Sequence, residues 1–224
     1  MKRSCLAFAT LLLCGGVCAA QERVSLPTED GGLIFAELYG KGERAVVLAH
    51  GGRFSLESWD KQARMLVAAG FRVLSIEFRG EGKSHGGAVA TAADEGRYLD
   101  ILSAIQYLRQ RGSKAVSVVG ASMGGDYAAE AAQASPAAID RLVLLAAGAY
   151  TTVTRMKGPK LYILAREDAN AAGPRLPKIL ERYKDASEPK KLVLLEGSSH
   201  AQFLFQTDQA ARLEREILQF LVAR

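Results

Sequence analysis

The chain has 224 residues, 49% of them hydrophobic and 24% charged, enough to bury one sizeable core and too short for two comfortable domains. It carries 29 lysines and arginines against 24 acids, a formal net charge of +5. Beyond residue 20 the basic residues are scattered, the longest run being Lys190-Lys191, which argues against a nucleic-acid partner, and no stretch there approaches the ~20 unbroken apolar residues of a membrane-spanning helix.

The first twenty residues stand apart. Lys2 and Arg3 precede an apolar run from Cys5 to Leu13, broken only by Thr10; Gly15, Gly16 and Cys18-Ala19-Ala20 then supply small residues. This is the pattern of a secretory signal peptide, with cleavage expected after Ala20 or Ala19. The expectation is therefore an exported protein, periplasmic or secreted, whose residues 21–224 form a single domain with no stable membrane association. Cys5, Cys14 and Cys18 all lie in the signal segment, so the processed chain has no disulfide, thiolate nucleophile or cysteine metal site. Removal of Lys2 and Arg3 leaves 27 bases against 24 acids, or +3.

From there short β-branched runs alternate with longer helical stretches. Strands are expected at 24–26 and 33–38, joined by Thr28-Glu29-Asp30-Gly31-Gly32 as a hairpin turn. Six more follow at 45–49, 72–76, 116–119, 141–145, 161–164 and 192–195. Ala45-Val46-Val47-Leu48-Ala49 is wholly apolar, as suits a central strand covered on both faces. Helices are expected at 56–69, ending at Gly70, and at 94–111, ending at Gly112 and carrying Leu99, Leu102, Ile105 and Leu108 as its apolar stripe. Three more are expected at 123–134, 176–184 and 208–222. Two antiparallel strands followed by β-α-β-α units predict an α/β fold with a mostly parallel, eight-stranded sheet and helices on both faces. Such sheets place their active sites at the carboxyl ends of the strands.

After the strand at 116–119 comes Gly120-Ala121-Ser122-Met123-Gly124-Gly125, then a helix. This is G-x-S-x-G in the strand–turn–helix context that lifts a serine hydroxyl clear of a sheet. The helix N-terminus behind it favours developing negative charge. A hydroxyl nucleophile needs a base, and His50, His85 and His200 are the three histidines available. His200 follows the last strand, on a loop before the final helix. Asp168 follows the seventh strand in Ala165-Arg166-Glu167-Asp168, with Glu167 beside it as the alternative carboxylate. Three dispersed histidines without cysteine fall short of metal-ligand spacings, so neither a metal nor a cofactor is expected. Gly80, Gly82, Gly86 and Gly87 lack the helix start of a phosphate loop and read as a turn, with His85 on the surface.

These motifs resemble the α/β-hydrolases, and among them the small lidless kind similar to dienelactone hydrolases and bacterial carboxylesterases. The resemblance covers nearly all of the chain beyond residue 20. It rests on the elbow, on the chain order Ser122, Asp168, His200, on His50-Gly51-Gly52, which is similar to the family's oxyanion loop, and on Phe78-Arg79-Gly80-Glu81-Gly82-Lys83-Ser84, which is close to its R-G-x-G-x-S turn. Ala165 departs from the pattern, standing where the acid-bearing loop usually has glycine. The resemblance implies that Ser122 attacks an acyl carbonyl, that His200 moves the proton, and that Asp168 orients the imidazole. It also implies that the backbone N–H groups of Met123 and Gly52 bind the oxyanion, while His50 holds the loop structurally.

Residues 146–159 are too short a link for a helical cap, so the site is expected to be open. Arg53, Arg79, Lys83 and Arg166 fall near strand carboxyl ends; they read first as solvated loop charges, and the alternative is that some of them form a positive rim favouring anionic substrates. Trp59 reads as core, with Phe54 as a candidate border of the pocket. The expected activity is hydrolysis of small-molecule carboxylic esters, extending to thioesters or lactones. A serine peptidase or amidase on the same fold, and a non-catalytic binding protein, are the competing readings.

Overall fold

The computed structural model describes residues 21–87, 96–148 and 150–223; the expected signal segment lies outside the described residues. The strands are β1 (Glu22–Pro27), β2 (Leu33–Tyr39), β3 (Arg44–Ala49), β4 (Arg72–Ile76), β5 (Ala115–Ala121), β6 (Arg141–Leu145), β7 (Lys160–Ala165), the two-residue pair β8 (Ala169–Asn170) and β9 (Gly173–Pro174), and β10 (Lys190–Leu195). The helices are α1 (Asp60–Ala68), α2 (Arg97–Gln110), α3 (Met123–Ala134), α4 (Leu176–Asp185) and α5 (Ala210–Val222). All eight expected strands and all five expected helices are present. The β8–β9 hairpin and a 3-10 turn at Ala201–Gln206 are additions that hydrophobic periodicity does not reveal, because neither has a buried repeat. The expected first helix divides into a 3-10 turn, Leu56–Trp59, followed by α1.

The large sheet has the order β1-β2-β4-β3-β5-β6-β7-β10. β2 pairs antiparallel with both β1 and β4, and every other pairing is parallel. Chain direction across the sheet reverses at β3, which has β4 on one side and β5 on the other. The crevice at such a switch point is where open α/β sheets place their ligands, and here it lies between the loops after β3 and β5. Alternate strand residues feed two cores. Val47 and Ala49 face Ile101, Ala104, Leu108 and the alanines of α3, while Val46 and Leu48 face Trp59, Leu66, Leu213 and Ile217. Helices therefore cover both faces, and the unbroken apolar run of β3 follows from that double cover. Gly70 and Gly112 end α1 and α2 in the left-handed conformation, at φ +85° and +86°, where a side chain would be strained.

The buried face of α2 is rotated from the expected stripe. Ile101, Ala104, Ile105 and Leu108 are buried, while Leu99 and Leu102 only flank them. The cause is charge. Asp100 is fully buried because it receives Arg79, which is itself buried: Arg79 Nε donates to Asp100 Oδ1 at 2.8 Å and the Arg79 backbone N–H to Oδ2 at 3.0 Å. The other side of the same guanidinium meets Asp30 Oδ2 at 2.5 Å. Arg79 thus pins the β1–β2 turn, the loop after β4 and α2 together. The link between β6 and β7 is closed by another buried cation. Lys160 Nζ donates to the Met156 and Gly158 carbonyls and to Ser187 Oγ at 2.7–2.9 Å. No helix stands among the described residues of 146–159, and no helical cap covers the sheet among the described residues.

Replacing Arg79 with methionine leaves two carboxylates facing an apolar side chain. Breaking a buried pair in this way costs about 3–5 kcal/mol, a fall in Tm on the order of 10 °C for a chain of this size, measurable by scanning calorimetry. The hydrogen bond from Arg79 also holds the Asp30 carboxyl well below the usual carboxylate range. A lowered folded value contributes stability that is present above about pH 4 and is lost as pH falls further. The Asp30→Asn variant is therefore expected to lose less stability than the wild type on acidification from pH 5 to 3 in urea titrations.

Candidate active site

Ser122 stands between β5 and α3 with φ +48° and ψ −119°, a conformation non-glycine residues rarely adopt. Two glycines make it possible by close approach. A Cβ on Gly120 would lie 2.6 Å from the Gly124 carbonyl oxygen, and one on Gly124 would lie 2.5 Å from the carbonyl oxygens of both Ala49 and His50. The elbow is thereby pressed onto the end of β3, and the Ser122 N–H donates to the Leu145 carbonyl at the end of β6 at 2.8 Å.

The hydroxyl that this turn presents meets a base at once. Ser122 Oγ lies 2.7 Å from His200 Nε2, and His200 Nδ1 lies 2.7 Å from Asp168 Oδ2. Asp168 is fully buried, whereas Glu167 is exposed, so the geometry selects Asp168 of the two carboxylates. The β8–β9 hairpin follows directly and brings Arg175 back over the acid, with its Nε 3.3 Å from Asp168 Oδ1. Its backbone N–H donates to the Asp168 carbonyl at 2.9 Å. Arg175 has no motif around it, and only the hairpin's geometry reveals it.

The other expected donors sit beside the serine. Met123 is the first residue of α3, whose N–H has no intrahelical partner. Gly52 is exposed, and its N–H has no acceptor among the described residues. The Gly51 N–H is engaged, donating at 2.9 Å to Gln202 Oε1. Gln202 is buried and donates through Nε2 to Ser58 Oγ at 2.6 Å. It therefore joins the loop carrying His200 to the loop carrying Gly52. Sequence reading passed over it, because a glutamine inside an aromatic run has no distinguishing signal. Phe54 and Phe203 make the apolar half of this junction, ring centroids 4.8 Å apart, while Trp59 is fully buried in the core. His50 is fully buried, packed edge-on to Phe78 at 5.3 Å, and His85 is exposed.

A cleft of about 380 Å³ opens beside Ser122, bordered by Met123, Asp126, Tyr127, Glu130, Tyr150 and Arg175 among others. Of the four basic residues considered for a positive rim, Arg53 is exposed beside Gly52, and the other three are engaged or directed elsewhere. Arg79 is consumed by Asp30 and Asp100, Arg166 pairs with Glu196 at 3.1 Å, and Lys83 lines a different cavity. Cations near strand ends are drawn to the carboxylates that share those ends, so position in the chain overstated the charge free to meet a substrate.

Comparison with known proteins agrees with this architecture. A family model described as serine aminopeptidase, S33, matches residues 40–209. A curated 2-hydroxy-6-oxononadienedioate/2-hydroxy-6-oxononatrienedioate hydrolase of a Pseudomonas species is 28% identical over 174 residues, 75% of this chain and 60% of its own length. A non-heme chloroperoxidase of Streptomyces lividans is 31% identical over 125 residues, 55% of this chain and 44% of its own. The chain spans about half the length of the curated relatives it matches. Among solved structures, an esterase of Pyrococcus furiosus superposes with a TM-score of 0.73 at 18% identity, covering 91% of this chain and 94% of its own. A dienelactone hydrolase of Anabaena variabilis does so with a TM-score of 0.73 at 20% identity, covering 90% and 96%. At these identities the likeness shows the α/β-hydrolase fold.

Substituting Gln202 with leucine leaves the Gly51 N–H without its acceptor, while the Ser58 hydroxyl keeps its bond to the Ser55 carbonyl. An unsatisfied buried group costs about 1–3 kcal/mol, so Tm is expected to fall by roughly 3–10 °C and amide exchange at Gly51 to accelerate. Unchanged exchange at Gly51 would show that Gln202 does not hold the loop.

Proposed function

The chain belongs to the α/β-hydrolase family described as serine aminopeptidase, S33, and on that premise we propose that it is an exported serine hydrolase that cleaves carboxylic esters through an acyl-enzyme. The observation that carries this reading is the unbroken contact Ser122 Oγ–His200 Nε2–Asp168 Oδ2, both links 2.7 Å, built on a strained turn. In the proposed cycle Ser122 Oγ attacks the acyl carbonyl as His200 Nε2 takes its proton. The buried Asp168 carboxylate accepts the Nδ1–H bond and stabilises the imidazolium. The carbonyl oxygen, now carrying the charge, is received by the Met123 and Gly52 N–H groups; loss of one such donor typically costs ~10²–10³ in rate. His200 then protonates the departing alcohol oxygen. A water molecule, deprotonated by the same nitrogen, attacks the acyl-serine; the bond to Oγ breaks, the carboxylic acid leaves, and His200 returns the proton to Ser122 Oγ.

Esters are favoured over amides by the uncapped cleft, which offers little to hold an extended peptide, and the structurally similar proteins include several described as esterases. A peptidase reading draws on the family's description and on Glu130 in the cleft, whose carboxylate would receive a substrate ammonium. Export rests on the pattern of residues 1–20 alone, and N-terminal sequencing of protein recovered from a secreting host tests it.

Incubation with a fluorophosphonate probe, followed by peptide mapping, is expected to label Ser122. Ser122→Ala and His200→Ala should remain unlabelled and lose at least ~10³-fold in kcat toward p-nitrophenyl esters. An acyl series from acetate to palmitate, run beside aminopeptidase substrates, separates the two readings. A folded protein that takes up no probe contradicts both.

A further inference from the structure

A second set of ligating groups lies behind the oxyanion loop. The fully buried ring of His50 has an oxygen acceptor in front of each nitrogen. Nδ1 is 3.0 Å from the Gly51 carbonyl oxygen. Nε2 is 3.2 Å from Glu77 Oε1 and 3.3 Å from Glu81 Oε2. A neutral imidazole has only one N–H. If it serves Gly51, Nε2 turns a lone pair toward two carboxylates. Moreover, neither carboxylate oxygen meets hydrogen-bond geometry from Nε2, which leaves this buried nitrogen without a partner. Three electron-rich atoms thus converge on one point.

We propose that His50, Glu77 and Glu81 bind a divalent first-row metal ion of the zinc class, at a site separate from the Ser122 cleft. One imidazole nitrogen with two carboxylate oxygens is a ligand set such ions accept. An ion ~2.0–2.2 Å from each ligand places neighbouring ligand atoms roughly 3.0–3.5 Å apart. The two separations from Nε2 fall in that interval, and all three atoms lie within 4.8 Å of one another. The Gly51 carbonyl is the outer partner a metal-bound histidine requires: it takes the Nδ1 proton and leaves Nε2 free to ligate. Arg97 Nη2 lies 3.4 Å from the other oxygen of Glu81, Oε1, leaving Oε2 directed at the histidine. A cavity of about 340 Å³ adjoins Glu77, with Glu37, Glu57, Arg23 and Lys83 also among its walls.

The fold explains why these three meet. Ala49 and Ile76 are register partners on β3 and β4, so His50 and Glu77 are the next residues on adjacent strands. The turn in which the Glu81 N–H donates to the Phe78 carbonyl at 3.1 Å returns Glu81 to the same point. Nothing in the spacing 50, 77, 81 shows this before the strands are paired. A bound ion would tie the ends of β3 and β4 together directly behind Gly51 and Gly52.

The test uses the whole protein, stripped with a chelator and titrated with zinc chloride alone, and does not depend on the esterase reading, since Ser122→Ala serves equally. One ion per chain is expected by calorimetric titration. A Tm rise of about 5–10 °C is expected at a hundredfold excess over Kd. Cobalt(II) should give a visible band from mixed nitrogen and oxygen ligation. Glu77→Gln and Glu81→Gln, near-isosteric and expected to fold where a His50 variant can fail, should each weaken Kd at least tenfold and cut the Tm rise at the same zinc concentration to about half or less. Equal affinity in both variants would place the ion elsewhere and overturn the assignment. Absence of binding at millimolar zinc would also overturn it.

Discussion

Everything at the candidate site depends on the backbone of Ser122 being held at positive φ. That conformation is costly for a serine, and it persists because the structure around it leaves no other course. The N–H of Ser122 is fixed to the end of β6, and Gly120 and Gly124 let the elbow close against itself and against the carbonyls at the end of β3. One consequence is that the hydroxyl, the first N–H of α3 and the loop after β3 are set by the same contacts. The nucleophile and the groups that would receive the oxyanion are therefore not positioned independently.

The remaining parts are brought to the elbow by polar ties beside apolar contacts such as Phe54 on Phe203. Gln202 joins the loop bearing His200 to Gly51, Arg175 closes over Asp168, and Arg79 locks the neighbouring loop to the β1–β2 turn and α2. Loops at strand ends cannot bury long apolar faces, so directional hydrogen bonds and buried charges fix them instead. Such contacts cost much when half-broken, which makes the loop arrangement specific. With no helix covering the cleft among the described residues, these ties also substitute for the rigidity a cap would lend.

The fold was legible because its signals are local and repetitive. Apolar runs of strand length, glycines at helix ends and the G-x-S-x-G turn each act over a few residues, and the structure has strands, helices and a turn at those places. Ser122, Asp168 and His200 were nameable because strand-end loops in chain order leave few candidates, and the structure brings those three within hydrogen-bond reach. The misreadings concern side chains whose partners are remote. Asp100 was not seen as buried, and so the stripe of α2 was placed too far round. Arg79 was considered for a substrate rim when it is spent on Asp30 and Asp100. Gln202, Arg175 and the convergence of His50, Glu77 and Glu81 depend on strand register and hairpin geometry, which residue spacing does not carry.

The central claim is that Ser122 forms a covalent acyl intermediate, and trapping that intermediate tests it most directly. Protein turning over p-nitrophenyl acetate would be quenched in acid within the pre-steady-state phase and mapped by peptide mass. The account predicts one acetyl group, on the peptide containing Ser122, with release of p-nitrophenol in stoichiometric proportion to it. Turnover without acylation of Ser122, or with the acetyl group on another side chain, would contradict the account.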